Sequence, residues 1–456
     1  HLFNYSTKVL PDNSRDHTEL LHLLDVLVEG TPAESKTLAF DPSAPEALLA
    51  LARYATALAR TPKLSPEFSI RVHSEETQTK RFWGDHDRFH HSPVEHFLDY
   101  GPERAVLIGL PGAGKSYSLR RAAARLAESL NKTCLAETFD HRAVEVPIFA
   151  DLKLYRGSLN QLVSQTLPSS LPLDELVSAF KVKIFLDSFN EMPREFWESG
   201  SYEADFQLFI KSLDQASVVI GSRTSDGLGK LELPVFCLDQ IDEEAVAEEL
   251  RRLGITIEGR LGSETRRLLQ RPFYFQYVAT GLIQLPENAH PRDFYKGFFA
   301  NINSAFASRF GSQMDLDAIL SSVAYESLDR GEEVFPISDL LGALKKGLHD
   351  SGNVDIQARD IANWLVSVSV LLPYSGNRAS FVHQSVTEYL ASTELANRYL
   401  RDPHVLKEKL SLMRWDQALF FALSLLPAKQ ADQFLLDVMQ ADFVLALRAV
   451  KYLETD

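Results

Sequence analysis

Cysteine is scarce. Cys134 and Cys237 are the only two in 456 residues. That excludes a disulfide framework and a cysteine-based zinc site, and a reducing compartment, the cytoplasm, is the expected location. Basic charge is also in short supply: Lys plus Arg number 47 against 62 Asp plus Glu, a net charge of −15. A dominant nucleic-acid surface needs a basic stripe to neutralise phosphates, so no DNA partner is expected. No apolar run reaches the ~18 residues of a membrane helix, and the stretch 418–427 is too short, so no membrane segment is expected. A repeat of fixed period and a signal peptide are missing as well. The chain opens on His1 rather than Met, which leads us to expect a piece of something larger.

What is present reads as globular. Hydrophobic residues make up 45% and charged residues 24%, ordinary for a protein with a well-buried core. The length corresponds to about three or four domains. Residues 19–28 and 47–60 carry helical spacing of Leu and Ala, separated by a Pro-rich loop. From residue 104 the pattern becomes strand, turn, helix. Short apolar runs at 105–108, 144–150, 183–186, 217–221 and 235–238 alternate with helical stretches, which implies a parallel sheet with helices on both faces. Beyond 240 nearly everything reads as helix. The exceptions are β-like runs at 368–373 and 380–382, joined through Gly376–Asn377, a hairpin signal.

The strongest chemical signal is Gly109-Leu-Pro111-Gly112-Ala113-Gly114-Lys115-Ser116, a G-x-x-x-x-G-K-[ST] match between a predicted strand and a predicted helix. Glycines let backbone N–H groups close around phosphate oxygens, and the helix N-terminus adds positive potential. Lys115 is placed to reach the β- and γ-phosphates, and the Ser116 hydroxyl to ligate Mg²⁺. An acidic partner stands at the end of a second strand, Lys183-Ile-Phe-Leu-Asp187. Asp187 is expected to hold Mg²⁺ through water. Four residues on, Glu191 is a candidate to polarise the attacking water, against the alternative of a solvated loop charge. Asn190 cannot act as a base. Arg223, leaving the run 217–221, is a candidate contact for a γ-phosphate, against that of a surface ion pair. The histidines His86, His90, His91 and His96 lack cysteine or acidic partners for a metal, and a loop beside the nucleotide is the expected reading.

Taken in order, these motifs resemble the NACHT family of STAND NTPases, nucleotide-operated switches related to NOD-like receptors. The resemblance extends to Arg271-Pro272-Phe273 and to Phe381-Val-His383-Gln-Ser-Val-Thr-Glu388-Tyr-Leu-Ala391, and covers about residues 80–400. It implies that Pro272 packs on the adenine, that His383 reaches the β-phosphate of bound ADP, and that Ala113 and Tyr117 join the nucleotide cradle. Asn190 departs from the family, which commonly carries Asp there, and this speaks against rapid hydrolysis.

The expected fold is an α/β P-loop NTPase, a parallel sheet with flanking helices, followed by helical and winged-helix domains. We place an N-terminal helical segment at 1–80, the nucleotide-binding domain at 81–238, a helical domain at 239–300, a winged helix at 301–400 and a second helical region or the start of a sensor array at 401–456. The implied function is an ATP/ADP switch, autoinhibited with ADP. With ATP it assembles into a homo-oligomer that activates an effector lying outside this chain, in innate immune or antiphage defence, on a triggering ligand that is unknown. The alternatives are an AAA+-like ATPase with sustained turnover and a DNA-binding STAND regulator. A motor needs sustained hydrolysis and a trans arginine finger, which the sequence does not identify, and the stretch 384–400 lacks the Lys/Arg density of a DNA-reading helix.

Overall fold

The computed structural model describes residues 41–60, 68–74, 91–136, 139–141, 144–213, 216–255, 263–281, 290–353 and 355–450. The helix expected at 19–28, and His86 and His90, lie outside them.

Seven strands form one sheet: β1 (Arg71–Ser74), β2 (Ser92–Pro93), β3 (Arg104–Ile108), β4 (Glu145–Asp151), β5 (Lys181–Asp187), β6 (Ala216–Ser222) and β7 (Val235–Leu238). Their spatial order is β2-β1-β7-β3-β6-β5-β4. The five strands read from apolar runs, β3 to β7, are all parallel. They are buried on both faces, which is why each reads as a continuous apolar run. β1 and β2 add an antiparallel edge that the sequence concealed. β1 buries Val72 alone, and β2 is two residues long with Pro93, a residue tolerated at sheet edges.

Alternation along β3 sorts its side chains into two cores. Val106 and Ile108 join Ile148, Ile184, Leu186 and Ile220 under the helices Pro45–Leu58, Leu159–Gln165 and Tyr202–Ser212. Ala105 and Leu107 join Phe185, Val219 and Phe236 in a core that runs on into the helical half as far as Ala449. Each large side chain so buried stabilises by about 1.5–3 kcal/mol. The helix Pro45–Leu58 rests on the sheet domain, where the Tyr54 hydroxyl donates to the carbonyl of Pro147 at 2.9 Å. It and β1 therefore pack with the sheet, although they precede the boundary drawn at residue 80.

The C-terminal half is helical, with a small antiparallel sheet of β8 (Phe335–Pro336), β9 (Leu371–Tyr374) and β10 (Arg378–Phe381) in the order β8-β10-β9. Gly376 and Asn377 both take left-handed backbone, at φ 73° and 56°, as a tight hairpin requires. Three helices, Leu316–Arg330, Ile337–Asp350 and Ala358–Ser367, precede this hairpin and Gln384–Arg401 follows it, a winged-helix arrangement. The boundary drawn at 300 falls inside the continuous helix Pro291–Phe310. Gln384–Arg401 is packed between neighbours and buries twelve residues, leaving Asn397, Leu400 and Arg401 exposed toward its C-terminal end. The outward helix is Ala358–Ser367, which exposes Arg359, Asp360 and Asn363. Among the described residues, no helix is long and apolar enough to cross a membrane.

Candidate functional site

The loop after β3 turns into the helix Lys115–Cys134 through Gly112 and Gly114, at φ 78° and 96°. Only glycine enters such conformations without strain. No side chain caps the helix, so its first-turn N–H groups are available to an anion. Ala113 is buried and Pro111, Tyr117 and Gly109 are half-buried. Lys115 folds back over the loop, its Nζ donating to the Gly109 carbonyl at 2.5 Å. Burial, then the nearby charge of Arg223, lowers its pKa to about 8.

β6 lies between β3 and β5, and Asp187 at the end of β5 must reach across it. Gly221 makes this possible. A Cβ there would meet Leu119 Cδ1 at 2.7 Å and Asp187 Oδ1 at 3.0 Å. Burial, then Asp151, pushes the Asp187 carboxyl above its usual range, opposed by Arg120 and by a hydrogen bond with Ser116. A buried carboxylate beside an exposed hydroxyl on a helix N-terminus suits a hydrated divalent cation, which would relieve that burial cost.

Beyond Asp187 the chain takes a left-handed step at Ser188 (φ 66°), a conformation that costs about 1–3 kcal/mol away from glycine. It turns Asn190 and Glu191 back toward the site. Glu191 meets Lys153 Nζ at 2.9 Å, both nearly buried. Burial opposes its ionisation, but Lys153 and then Arg223 outweigh it and hold the carboxyl low. Asn190 Oδ1 accepts the Arg223 backbone N–H at 2.9 Å, and its Nδ2 donates to Gln384 Oε1 at 3.4 Å. Arg223 Nη1 donates to Glu388 Oε1 at 2.7 Å. In this conformation, then, Arg223 and Glu191 are each occupied by an ion-pair partner, and neither is free for the role expected of it.

Four of the groups facing this edge come from the winged helix. Tyr374 donates to Asp151 Oδ2 at 2.9 Å. Glu388 is 2% exposed. Thr387 donates to Glu333 Oε2 at 3.3 Å. The fourth, His383, caps its own helix: Nδ1 accepts the Ser385 N–H at 3.1 Å. That acceptor role puts the ring proton on Nε2. Burial, then Arg223, lowers the ring's pKa to about 3, so it is neutral. His383 stacks on Phe273 with centroids 4.6 Å apart, and the Phe273 N–H donates to the Gly112 carbonyl at 3.2 Å. Pro272 covers Gly114, its Cγ 3.5 Å from where a Cβ would stand. Loop, Pro272–Phe273 and His383 are thus one continuous stack.

No family model matches this chain, and no curated protein does. Solved structures do. One is a STAND protein with a tetratricopeptide repeat sensor from Pyrococcus horikoshii, 13% identical, with 85% of this chain and 56% of that chain covered and a TM-score of 0.32. Another is the Drosophila ORC bound to DNA, at 9% identity, 82% and 99% coverage and a TM-score of 0.29. A third is Cdc6p from Pyrobaculum aerophilum, at 12%, 66% and 92%, with a TM-score of 0.25. At these values the site rests on its own geometry.

Lys153, Gly221, Glu333, Tyr374 and the ion-pairing role of Glu388 escaped the sequence reading. Only Gly221 left a local trace, as the glycine ending an apolar strand beside Ser222-Arg223. The other contacts bridge residues far apart in the chain. Of the histidines, His91 lies 4.0 Å from Asp239, which His73 meets at 2.6 Å. No group of three or more potential metal ligands occurs among the described residues.

Proposed function

We propose that this chain is the nucleotide-operated core of a STAND-type signalling switch, NACHT-like in its motifs. The observation that carries the reading is the closure of the winged helix over the P-loop edge, through His383 on Phe273 and Glu388 on Arg223. ADP is the ligand of this closed conformation. The amides of 109–116 and Lys115 would hold its phosphates, Pro272 would pack against its base, and His383 would offer its Nε2–H to the β-phosphate. Ser116 and Asp187 would hold Mg²⁺, which neutralises phosphate charge when bound. ATP favours an open conformation that assembles into a homo-oligomer and drives an effector outside this chain, in innate immune or antiphage defence, once a triggering ligand shifts the balance. Glu191 and Arg223, released on opening, would position water and γ-phosphate. Held as they are, hydrolysis is slow.

The test is nucleotide content and turnover. The purified protein is expected to carry ADP and to hydrolyse ATP slowly, and Lys115→Ala is expected to abolish nucleotide binding in calorimetry. Fast steady-state hydrolysis would instead support the sustained-turnover ATPase. Unchanged affinity in Lys115→Ala would remove the P-loop from the account.

A further inference from the structure

We propose that Glu388 is an internal stand-in for a γ-phosphate: its carboxylate occupies Arg223 in the closed conformation, so that the site selects nucleoside diphosphates over triphosphates. This rests on the P-loop being a nucleotide site, as proposed above, and adds the residue that sets phosphate number.

Arg223 follows β6, the neighbour of β3, and its charge is felt by Lys115, so it belongs to the phosphate end of the site. A guanidinium presents the same fork of donors to a carboxylate and to a phosphate. Glu388 takes one prong, Nη1 to Oε1 at 2.7 Å. Arg223 Nη2 and Glu388 Oε2 are buried without hydrogen-bond partners. The pair is therefore half-made, on an arginine able to serve two oxygens. A phosphate that displaced the carboxylate would satisfy both prongs.

The backbone of Arg223 is anchored at this edge: its N–H is held by Asn190, which also reaches Gln384, one turn before Glu388 on the same helix. A γ-phosphate cannot slip in alongside, since Glu191 and Glu388 already place negative charge around Arg223, and like charges at close range are costly in a buried site. A diphosphate makes no demand on Arg223 and leaves the pair intact. A triphosphate must evict Glu388, and Glu388 is rigidly part of Gln384–Arg401. Eviction therefore withdraws the winged helix, and discrimination between nucleotides becomes a difference in conformation.

The test measures Kd for ADP and for a non-hydrolysable triphosphate by calorimetry on the full chain. The parent protein is expected to prefer the diphosphate by about tenfold or more, the scale of one charge-assisted hydrogen bond. Glu388→Gln keeps the shape but frees the cation, and should shift the ratio toward triphosphate by about ten- to a hundredfold. Glu388→Asp withdraws the carboxylate by one methylene and should shift it part-way. A ratio unchanged in both variants overturns the proposal, as does a parent protein without preference. Should Glu388→Gln fail to give a cooperative melt, Glu388→Asp decides alone. Lys115→Ala separates the two levels. If it binds both nucleotides like the parent, the P-loop reading itself falls. If it loses both while the Glu388 variants keep the parent ratio, only the stand-in falls.

Discussion

Gly221 acts by having no side chain. The route from β5 to Ser116 passes over it, and a methyl group there would overlap Leu119 and press on Asp187. We expect Gly221→Ala to destabilise the fold by about 1–3 kcal/mol, as overpacking does, and to weaken Mg²⁺-dependent more than Mg²⁺-independent nucleotide binding. Melting temperature and calorimetry with and without Mg²⁺ check this. An unchanged melt would mean that Leu119 relaxes freely. At this scale the sequence is legible where chemistry is local. Gly112, Gly114, Lys115 and Ser116 are contiguous, and Asp187 ends an apolar strand. Lys153 was not legible. Its meaning comes from Glu191, 38 residues away in the chain and 2.9 Å away in space.

The helix Gln384–Arg401 depends on one residue for both its start and its contact with the loop. His383 caps it through Nδ1 and stacks on Phe273. Replacing a cap by Ala costs about 0.5–2 kcal/mol, whereas Asn is itself a good cap. We therefore expect His383→Ala to lose both stability and ADP retention, and His383→Asn to regain stability while still releasing ADP faster. Thermal melts beside ADP off-rates separate the two effects. Equal off-rates in Asn and parent would show that the ring's only service is to the helix. Elements were legible where burial is two-sided. β3 to β7 declare themselves as apolar runs, and Gly376–Asn377 declares the hairpin. β1 and β2 do not, because strands this short, with one buried residue in β1 and none in β2, have no pattern to show.

Across the whole molecule, closure gathers acids and bases that the chain keeps far apart. Glu333 faces Lys153 and Arg223 as well as Glu191 and Glu388. Burial, then Glu191, raises its pKa to about 8 from an ordinary 4.5. The folded protein therefore binds this proton more tightly than the unfolded chain. Its contribution is complete below about pH 4.5 and is lost as pH rises through about 8. We expect Glu333→Gln to lose less stability than the parent as pH rises from about 4.5 to about 8. Parallel losses in thermal melts over that window would count against it. The same gathering explains why Arg223 and Glu191 could be nominated from the sequence but not their state. An ion pair between Arg223 and Glu388 spans 165 residues, and nothing near either residue encodes it.

The sequence by itself determined the P-loop, the acidic strand, the alternation of strand and helix and the hairpin, because backbone conformation and two-sided burial act over a few neighbouring residues. The tertiary structure alone decided that β6 separates β3 from β5, that Gly221 lets Asp187 across, and that Lys153 and Glu388 hold Glu191 and Arg223. Those depend on which strand edges and helix faces meet, and buried charges take whatever opposite charge the fold brings within reach.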